Sequence, residues 1–299
     1  MPTFVGRRVI AGADLADIAR VIDWGPFFQA WELSGAFPAI LDDPVVGEAA
    51  RNLLAEGRAM LERIVAERWL EANAVVGFWP ASSTRDDIVL WTDESRSTPL
   101  LSWRNLRQQN ERPSGKPNYG LADFVAPQMS GVRDYVGAFA VTTGGGVDER
   151  VAAYKRANDD YSALMLKSLA DRLAEAFAEW LHRKVRRELW AYAPDEALDN
   201  DALIREEYRG IRPAPGYPAC PDHAVKADLF AALQAGEAGM EVTENFAMLP
   251  AASVAGFYLA HPASRYFAVG KIGDDQLADF AERAGLTRDE ARRRLAPNL

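Results

Sequence analysis

The chain is poor in the residues that build disulfides and metal sites. It has one cysteine and three histidines in 299 residues. A single cysteine excludes an intramolecular disulfide. The histidines, His182, His223 and His261, are far apart in the chain and lack the His-Glu-x-x-His spacing. Because a zinc site generally needs three or four protein ligands, we predict no metal ion held by the chain itself.

Long apolar runs and long basic tracts are also missing. No stretch approaches the ~18 consecutive apolar residues of a membrane span, and the start, MPTFVGRRVI, lacks the apolar core of a signal peptide. The net charge is −9, and the longest basic tract is HRKVRR at 182–187. Nucleic-acid binding needs concentrated positive charge. We therefore expect a cytoplasmic protein that binds neither membranes nor nucleic acid.

Motifs of nucleotide binding and nucleophilic catalysis are incomplete. TTGGGVDER (142–150) has the first two glycines of Gly-x-Gly-x-x-Gly, but Glu149 stands at the third position. No Gly-x-Ser-x-Gly elbow occurs. Cys220 lies three residues before His223, so a Cys–His nucleophile pair is one hypothesis. The other is a small buried hydrophobic residue, which is the commoner role of a lone cysteine.

The residues that are abundant describe an ordinary globular protein. Apolar residues make up 48% of the chain and charged residues 26%. Helical periodicity predicts long helices at 43–70 and 147–190. Strand patterns occur at 72–81, 86–91, 131–143, 241–249, 254–260 and 266–272. Because strands come in groups between long helices, we predict an α+β domain over 1–299 with an antiparallel or mixed sheet, residues 1–15 being a linker-like leader.

One segment, RPAPGYPACPDH at 212–223, is unusually stiff. It has four prolines among its twelve residues, and each proline fixes its own backbone and drives the preceding residue toward an extended conformation. We therefore expect an extended ribbon from Arg212 to Pro221. Arg212 can clamp a carboxylate, Tyr217 offers an aromatic face, and Gly216 permits close backbone approach. The residues alone leave two hypotheses open: a site for a small zwitterion, or a rigid surface connector.

A resemblance to a known family extends along nearly the whole chain. The ribbon contains Arg-x-x-x-Gly-Tyr, and other segments match in the family's order. They are VIDWGPFFQAWELSG (21–35), LRQQ (106–109), LADFVAP (121–127), DYVGAFAVT (134–142), DRLAEAFAEWLH (171–182), ENFAMLPAASVAG (244–256) and LAPNL (295–299). Together they resemble the S-adenosylmethionine-binding activation domain of cobalamin-dependent methionine synthase.

This resemblance implies a fold and a reaction. The family fold is a C-shaped α+β domain with a twisted antiparallel sheet flanked by long helices. The cofactors would be S-adenosylmethionine on this chain and cobalamin on a partner, the cobalamin-binding domain of methionine synthase. The implied activity is reductive methylation of cob(II)alamin, the reactivation half-reaction of that methyltransferase. The electron would come from flavodoxin or another reductase, and cobalt would be the nucleophile, so no catalytic side chain is expected.

The resemblance also implies roles for particular residues. Arg212 would hold the methionyl carboxylate, backbone at Ala214 would meet the adenine, and Tyr217 would lie over the site. Tyr266 and Phe267 match an aromatic pair that contacts the ligand, although Phe267 stands where a tyrosine is familiar, which puts a hydroxyl contact there in doubt. The remaining implied ligand-binding residues are Asp23, Glu175, Glu206 and Gly216.

Two alternatives to the reactivation role remain open. One is a docking or sensor protein that binds S-adenosylmethionine without supporting methyl transfer. The other is a self-sufficient methyltransferase acting on a small molecule, although the glycine-rich nucleotide turn of its commonest form is missing. The cobalamin ligand pattern Asp-x-His-x-x-Gly is absent from this sequence, so the first role requires a partner that carries the cobalamin.

Overall fold

The computed structural model of the chain describes residues 1–113 and 115–299. Its strands are β1 (Gly6–Ile10), β2 (Glu71–Thr84), β3 (Asp87–Trp91), β4 (Pro99–Trp103), β5 (Asp134–Gly145), β6 (Glu241–Val242), β7 (Met248–Leu249) and β8 (Ser253–Tyr258). Its α-helices are α1 (Leu15–Ala19), α2 (Gly25–Ala30), α3 (Gly47–Ala66), α4 (Val147–Arg156), α5 (Asp160–Lys184), α6 (Asn200–Ile204), α7 (Val225–Leu233), α8 (Asp274–Ala284) and α9 (Arg288–Arg294).

The main sheet is antiparallel throughout the described chain. Its order is β4-β3-β2-β5-β8, and β1 pairs with the first half of β2. The long strand β2 therefore has β1 and then β3 along one edge, while β5 pairs with Glu71 to Ala81 along the other edge. A separate two-stranded sheet joins β6 to β7. The predicted α+β class with an antiparallel sheet is confirmed, and residues 6–10, within the segment predicted as a leader, form β1.

Each face of the main sheet covers a hydrophobic core. Strand side chains alternate between the two faces, so Phe139 and Val141 of β5 face one core while Val136 and Ala138 face the other. The first core packs against α1, α2, α3 and α5, and the second packs against α7 and the segments around it. A third, smaller core joins α8 and α9 to residues before them. The main sheet thus lies between two layers of helices.

The helix predicted at 147–190 is divided in the structure. Helix α4 ends at Arg156, Asn158 adopts a left-handed φ of 54°, and Asp159 caps α5 by accepting a hydrogen bond from the Ser162 amide at 2.9 Å. Asparagine tolerates this left-handed conformation better than most residues, which explains the break. The last turn, Val185–Leu189, widens into a π-helix. Apolar periodicity continues across the break, so the pattern alone predicts one helix.

The prediction of a strand at 266–272 is wrong. Residues 266–272 form no β-strand, although two of their backbone amides make hydrogen bonds to distant carbonyl groups. The Val269 amide donates to the Pro218 carbonyl at 2.9 Å, and the Ile272 amide donates to the Asn298 carbonyl at 2.8 Å. The apolar residues of the segment pack into the second and third cores rather than onto a sheet face. The apolar pattern of this segment therefore reflects burial in the two cores and not pairing with another strand.

Candidate functional site

One face of helix α5 carries a stripe of polar residues. Its members are spaced by four, three and four residues, which places them on one helix face. They are Glu175, Glu179, His182 and Arg186, and the last of them belongs to the π-helical turn. Glu179, His182 and Arg186 are buried, while Glu175 is half-buried. The stripe therefore runs from the edge of a cleft into the interior.

The proline-rich ribbon lies along the free edge of β8. Ile211 and Leu259 exchange two backbone hydrogen bonds of 2.9 and 3.0 Å, and the Phe257 amide donates to the Pro213 carbonyl at 2.9 Å. Gly256 permits this approach, because a Cβ there would meet the Pro213 carbonyl oxygen at 2.7 Å. The edge strand is thereby covered, as buried sheet edges require, and Arg212 is held beside α5.

Beyond Pro213 the ribbon turns, which corrects the expectation of an extended chain to Pro221. The Tyr217 amide donates to the Ala214 carbonyl at 3.2 Å, and the Cys220 amide donates to the Tyr217 carbonyl at 2.9 Å. Gly216 has a φ of +94°, and a Cβ there would meet the His223 ring at 2.2 Å. Only glycine adopts this conformation readily. The prolines therefore stiffen two successive tight turns rather than one straight ribbon.

Two adjoining cavities meet at the ribbon. The acidic cavity, about 390 Å³, is lined by Val21, Asp23, Pro26, Arg172, Glu175, Ala176, Glu179, Asn200, Leu203, Ile204, Glu206, Arg212 and Tyr217. The apolar cavity, about 450 Å³, is lined by Phe139, Glu175, Glu206, Arg212, Pro213, Ala214, Tyr217, Pro218, Ala219, Val254, Tyr266, Phe267 and Ala268. Four residues line both cavities: Glu175, Glu206, Arg212 and Tyr217. We call the two cavities together the cleft, and each has the volume of a small-molecule site.

Arg212 is anchored on one side of its guanidinium group. Its Nη1 donates to Glu179 Oε2 and, at 2.8 Å, to the Tyr208 hydroxyl oxygen, and its backbone amide donates to the Tyr266 hydroxyl at 2.9 Å. Burial opposes the charge, but Glu179 raises the pKa of Arg212 above its ordinary value, so the group stays cationic. Nη2 has no hydrogen-bond partner among the described residues, and 22% of the side chain is exposed.

The carboxylates of the cleft come from three separate segments. Asp23, between α1 and α2, accepts the Gly25 amide at 2.8 Å through Oδ1 only. Glu175 accepts the Tyr217 hydroxyl at 3.1 Å, and burial together with Glu175 raises the pKa of Tyr217 to about 12. Glu206 follows α6 with a left-handed φ of 57°. Partial burial raises the pKa of Glu206, and the nearby Glu179 adds to that shift while Arg212 opposes it.

A buried ion network lies behind Arg212. Glu179 bonds Arg186 as well as Arg212, and Arg186 forms a bidentate pair with Glu196 at 2.9 Å for each oxygen. The Arg186 side chain is fully buried and that of Glu179 is 9% exposed. Burial lowers the pKa of the adjacent His182 well below its ordinary value, so this ring is neutral. Two guanidinium groups and two carboxylates therefore balance in the interior.

The structure brings nearly all of the predicted site residues together. Asp23 lines the acidic cavity, Ala214, Tyr266 and Phe267 line the apolar cavity, and the four shared residues lie at their junction. Gly216 is the exception, because it lines neither cavity and instead packs against His223 behind the ribbon. Its contribution to the site is the shape of the turn. The roles of all these predicted site residues in ligand binding stay predictions.

Three polar residues of the cleft were missed by reasoning from the sequence. They are Arg172, Glu179 and Asn200. The signal for Glu179 was present in the stripe, since Glu175, Glu179, His182 and Arg186 share one helix face. Asn200 lines the acidic cavity with a buried Oδ1 that has no partner among the described residues. Such an oxygen needs a hydrogen-bond donor, which a water molecule or a ligand group can supply.

Cys220 does not form a nucleophile pair with His223. The thiol is buried, and burial raises its pKa to about 12. Its sulfur accepts the Trp103 indole N–H at 3.4 Å, while His223 Nδ1 lies 3.0 Å from Lys226 Nζ. A reactive thiol needs a lowered pKa and access to solvent. Cys220 is therefore a packing residue of the second core.

Fold and site together define a class of protein. The cleft presents four carboxylates, from Asp23, Glu175, Glu179 and Glu206, against the two guanidinium groups of Arg172 and Arg212. Beside them the apolar cavity offers aromatic side chains and ribbon backbone. An α+β domain with this cleft is a small-molecule binding domain suited to a ligand with cationic groups, one anionic group and a flat apolar part.

Comparison with known proteins identifies the family. Residues 14–285 match the family model of the activation domain of vitamin B12-dependent methionine synthase, and the chain belongs to this family. A crystal structure of the MetH reactivation domain bound to AdoHcy is similar to the chain at 48% sequence identity and a TM-score of 0.94. The match covers 100% of this chain and 91% of that chain. The resemblance inferred from sequence segments is thus confirmed.

Proposed function

We propose that the chain binds S-adenosylmethionine in the cleft and presents it to a cobalamin carried by a partner domain. The observation that carries the proposal is the convergence of Arg212, Glu175, Glu206 and Tyr217 at the junction of the two cavities. S-adenosylmethionine has one carboxylate, one ammonium and one sulfonium group, so its net charge suits a cleft with an excess of carboxylates. The similar domain whose structure holds AdoHcy supports the same ligand class.

The described residues fit such a ligand group by group. Arg212 lines the cleft, and its Nη2, which has no hydrogen-bond partner among the described residues, would take the carboxylate. Asp23 Oδ2 and Asn200 Oδ1 have no hydrogen-bond partner among the described residues and line the acidic cavity, where an ammonium group would find acceptors. Tyr266, Phe267 and the Ala214 backbone line the apolar cavity, which suits an adenine.

The proposed reaction needs no nucleophilic side chain from this chain. Bound in the cleft, S-adenosylmethionine would provide an electrophilic methyl group, and a reduced cobalamin on the partner would accept it. The chain's part is to bind and orient, because a positioned ligand avoids most of the entropic cost of a bimolecular step. Cys220, buried with a raised pKa, is not required as a nucleophile. We propose reductive reactivation of methionine synthase as the reaction, with flavodoxin or another reductase as electron donor.

Methyl transfer in a reconstituted mixture tests the proposal. The chain, a cob(II)alamin-loaded cobalamin-binding domain of methionine synthase, a reductant and S-adenosylmethionine labelled in its methyl group are combined. Label on cobalt that depends on all four components is the expected result. Binding of S-adenosylmethionine without label on cobalt would instead support a docking or sensor role. Label on a small molecule in the absence of any corrinoid would indicate a self-sufficient methyltransferase.

The setting of the protein stays a prediction. Within the described residues, none of the helices combines the length and the apolar character of a membrane span. A location in the cytoplasm and the absence of nucleic-acid partners are predicted from the composition and the charge pattern. Cell fractionation with an antibody against the chain would check the location directly.

A further inference from the structure

The buried ion network extends beyond the residues that line the ligand site. Arg186 and Glu196 lie behind Glu179, and neither lines the cleft. Arg186 is fully buried, and its pair with Glu196 has a distance of 2.8 Å. Burying charged groups is costly and is not needed to stabilise a helix end. The network therefore calls for an explanation other than stability.

The contacts of Glu179 explain its position. One oxygen, Oε2, accepts from Arg212 Nη1, while the other, Oε1, lies 3.3 and 3.4 Å from the Arg186 guanidinium nitrogens. Tyr208 accepts from the same Nη1 of Arg212 at 2.8 Å. Both contacts engage one end of the guanidinium group, so the planar group cannot rotate without breaking them. The other nitrogen, Nη2, makes no hydrogen bond to the described residues, and Arg212 lines both cavities of the cleft.

We propose that Glu179 is a positioning residue for Arg212, held in place by the Arg186–Glu196 pair. This inference rests on the proposed function, because it assigns Arg212 to the ligand carboxylate. An unrestrained arginine side chain has many rotamers, and fixing it before the ligand arrives lowers the entropic cost of binding. Glu179 thereby acts on affinity without touching the ligand carboxylate.

A double-mutant cycle tests this role. Affinities for S-adenosylhomocysteine are measured by calorimetry for the wild type, Glu179→Ala, Arg212→Ala and the double variant. We expect Glu179→Ala to weaken binding at least about tenfold, the equivalent of about 1.4 kcal/mol, and to have little further effect once Arg212 is removed. Glu179→Gln keeps one acceptor oxygen and should lose less than Glu179→Ala. Because it is closest in shape, it also serves if Glu179→Ala folds poorly.

A ligand without the carboxylate provides the second arm. 5′-Methylthioadenosine lacks the amino-acid part, so Glu179→Ala should change its affinity much less than that of S-adenosylhomocysteine. Asp87→Asn is the matched control, since Asp87 is a buried acid paired with Arg104 and Arg283 outside the cleft. It should leave both affinities unchanged even where it destabilises the fold.

The outcomes separate the two proposals. If the wild type does not bind S-adenosylhomocysteine, the proposed function itself fails. If the wild type binds but the two substitutions are additive, or if Glu179→Ala weakens both ligands equally, Glu179 has only a structural role. Unchanged or tighter binding of S-adenosylhomocysteine by Glu179→Ala would likewise overturn the positioning role.

Discussion

At the scale of single residues, Arg212 has the central place in the cleft. Its backbone amide is bonded to Tyr266, one guanidinium nitrogen is bonded to Glu179 and Tyr208, and the side chain lines both cavities. Each contact comes from a different segment of the chain. The Arg212 side chain is therefore positioned by the tertiary structure and not by the ribbon alone. Substitution of Arg212 is for this reason the most direct test of ligand binding.

Arg212→Ala should weaken S-adenosylmethionine binding by about 1.5–3 kcal/mol, the range for a hydrogen bond to a charged group. Isothermal titration calorimetry at fixed ionic strength measures the change. Arg209→Ala is the control, because Arg209 is an exposed arginine nearby that bonds the Ala260 and Tyr192 carbonyls and lies outside the cleft. Equal affinities for the wild type and Arg212→Ala would remove the carboxylate clamp.

Glu206 illustrates a conflict between stability and binding at one residue. Partial burial and the nearby Glu179 raise its pKa, although Arg212 opposes the shift. The folded chain thus binds the Glu206 proton more tightly than the unfolded chain does, so ionisation of this group destabilises the fold as the pH rises. A ligand cation would stabilise the ionised form. The residue is therefore suited to binding at the expense of the ligand-free fold.

Glu206→Gln should consequently stabilise the ligand-free protein at neutral pH and weaken binding of S-adenosylmethionine. The gain in the free energy of unfolding should shrink as the pH falls through the raised pKa, where the wild-type carboxyl is itself protonated. Urea denaturation at several pH values measures the first effect, and calorimetry measures the second. Glu207→Gln, which alters an exposed glutamate paired with Arg205, is the control. A gain independent of pH would show that the Glu206 charge is not the cause.

At the scale of elements, the contact between the ribbon and β8 decides where the ligand-binding groups lie. The Pro213 carbonyl bonds the Phe257 amide, and Ile211 pairs with Leu259. Gly256 lies opposite this contact, with the Phe139 ring as a further neighbour. A side chain at this position would separate the ribbon from the sheet and with it Arg212 from α5. Gly256 thus shapes the site although it lines neither cavity.

Gly256→Ala should destabilise the fold by about 1–3 kcal/mol, as expected when a methyl group is forced into a packed region. It should also weaken ligand binding, because the ribbon backbone moves. Chemical denaturation and calorimetry report the two effects. Gly236→Ala is a suitable control, since a Cβ at Gly236 meets nothing within 4 Å. If Gly256→Ala matched Gly236→Ala in both measurements, the close approach would not matter.

At the scale of the whole molecule, the cleft joins parts of the chain that are far apart in sequence. Residues from Val21 to Ala268 contribute to its walls, and the main sheet separates two hydrophobic cores. A ligand bound there would contact helix, ribbon and sheet at the same time. Because it binds the folded chain and not the unfolded one, it should stabilise the molecule globally rather than one loop.

Saturation with S-adenosylhomocysteine should therefore raise the free energy of unfolding by about 2.7 kcal/mol at a ligand concentration 100 times the dissociation constant. The shift of the urea midpoint with ligand concentration measures this. Arg212→Ala at the same concentration should show a smaller shift. A midpoint that does not move at saturating ligand would show that S-adenosylhomocysteine does not bind the folded chain in preference to the unfolded one.

How far the sequence predicted the site differs from residue to residue. The ribbon, with Arg212 and Tyr217, was recognisable because prolines restrict the backbone locally. The role of Glu175 came from the family resemblance, since an exposed-looking glutamate on a helix is ordinarily solvated. Glu179 was missed, because its partner Arg212 is 33 residues away. Periodicity placed it on the polar stripe but did not show what the stripe faces.

The sequence by itself determined the class of fold, the family and the stiff segment, because these depend on local backbone preferences, periodic burial and segment order. Only the tertiary structure decided that the ribbon turns twice beyond Pro213, that the helix at 147–190 breaks at Asn158, and that Glu179 anchors Arg212. The physical reason is that the interacting residues are far apart in the sequence. A buried ion pair exists only when packing of the sheet and helices brings two remote side chains together, and no local pattern encodes that separation.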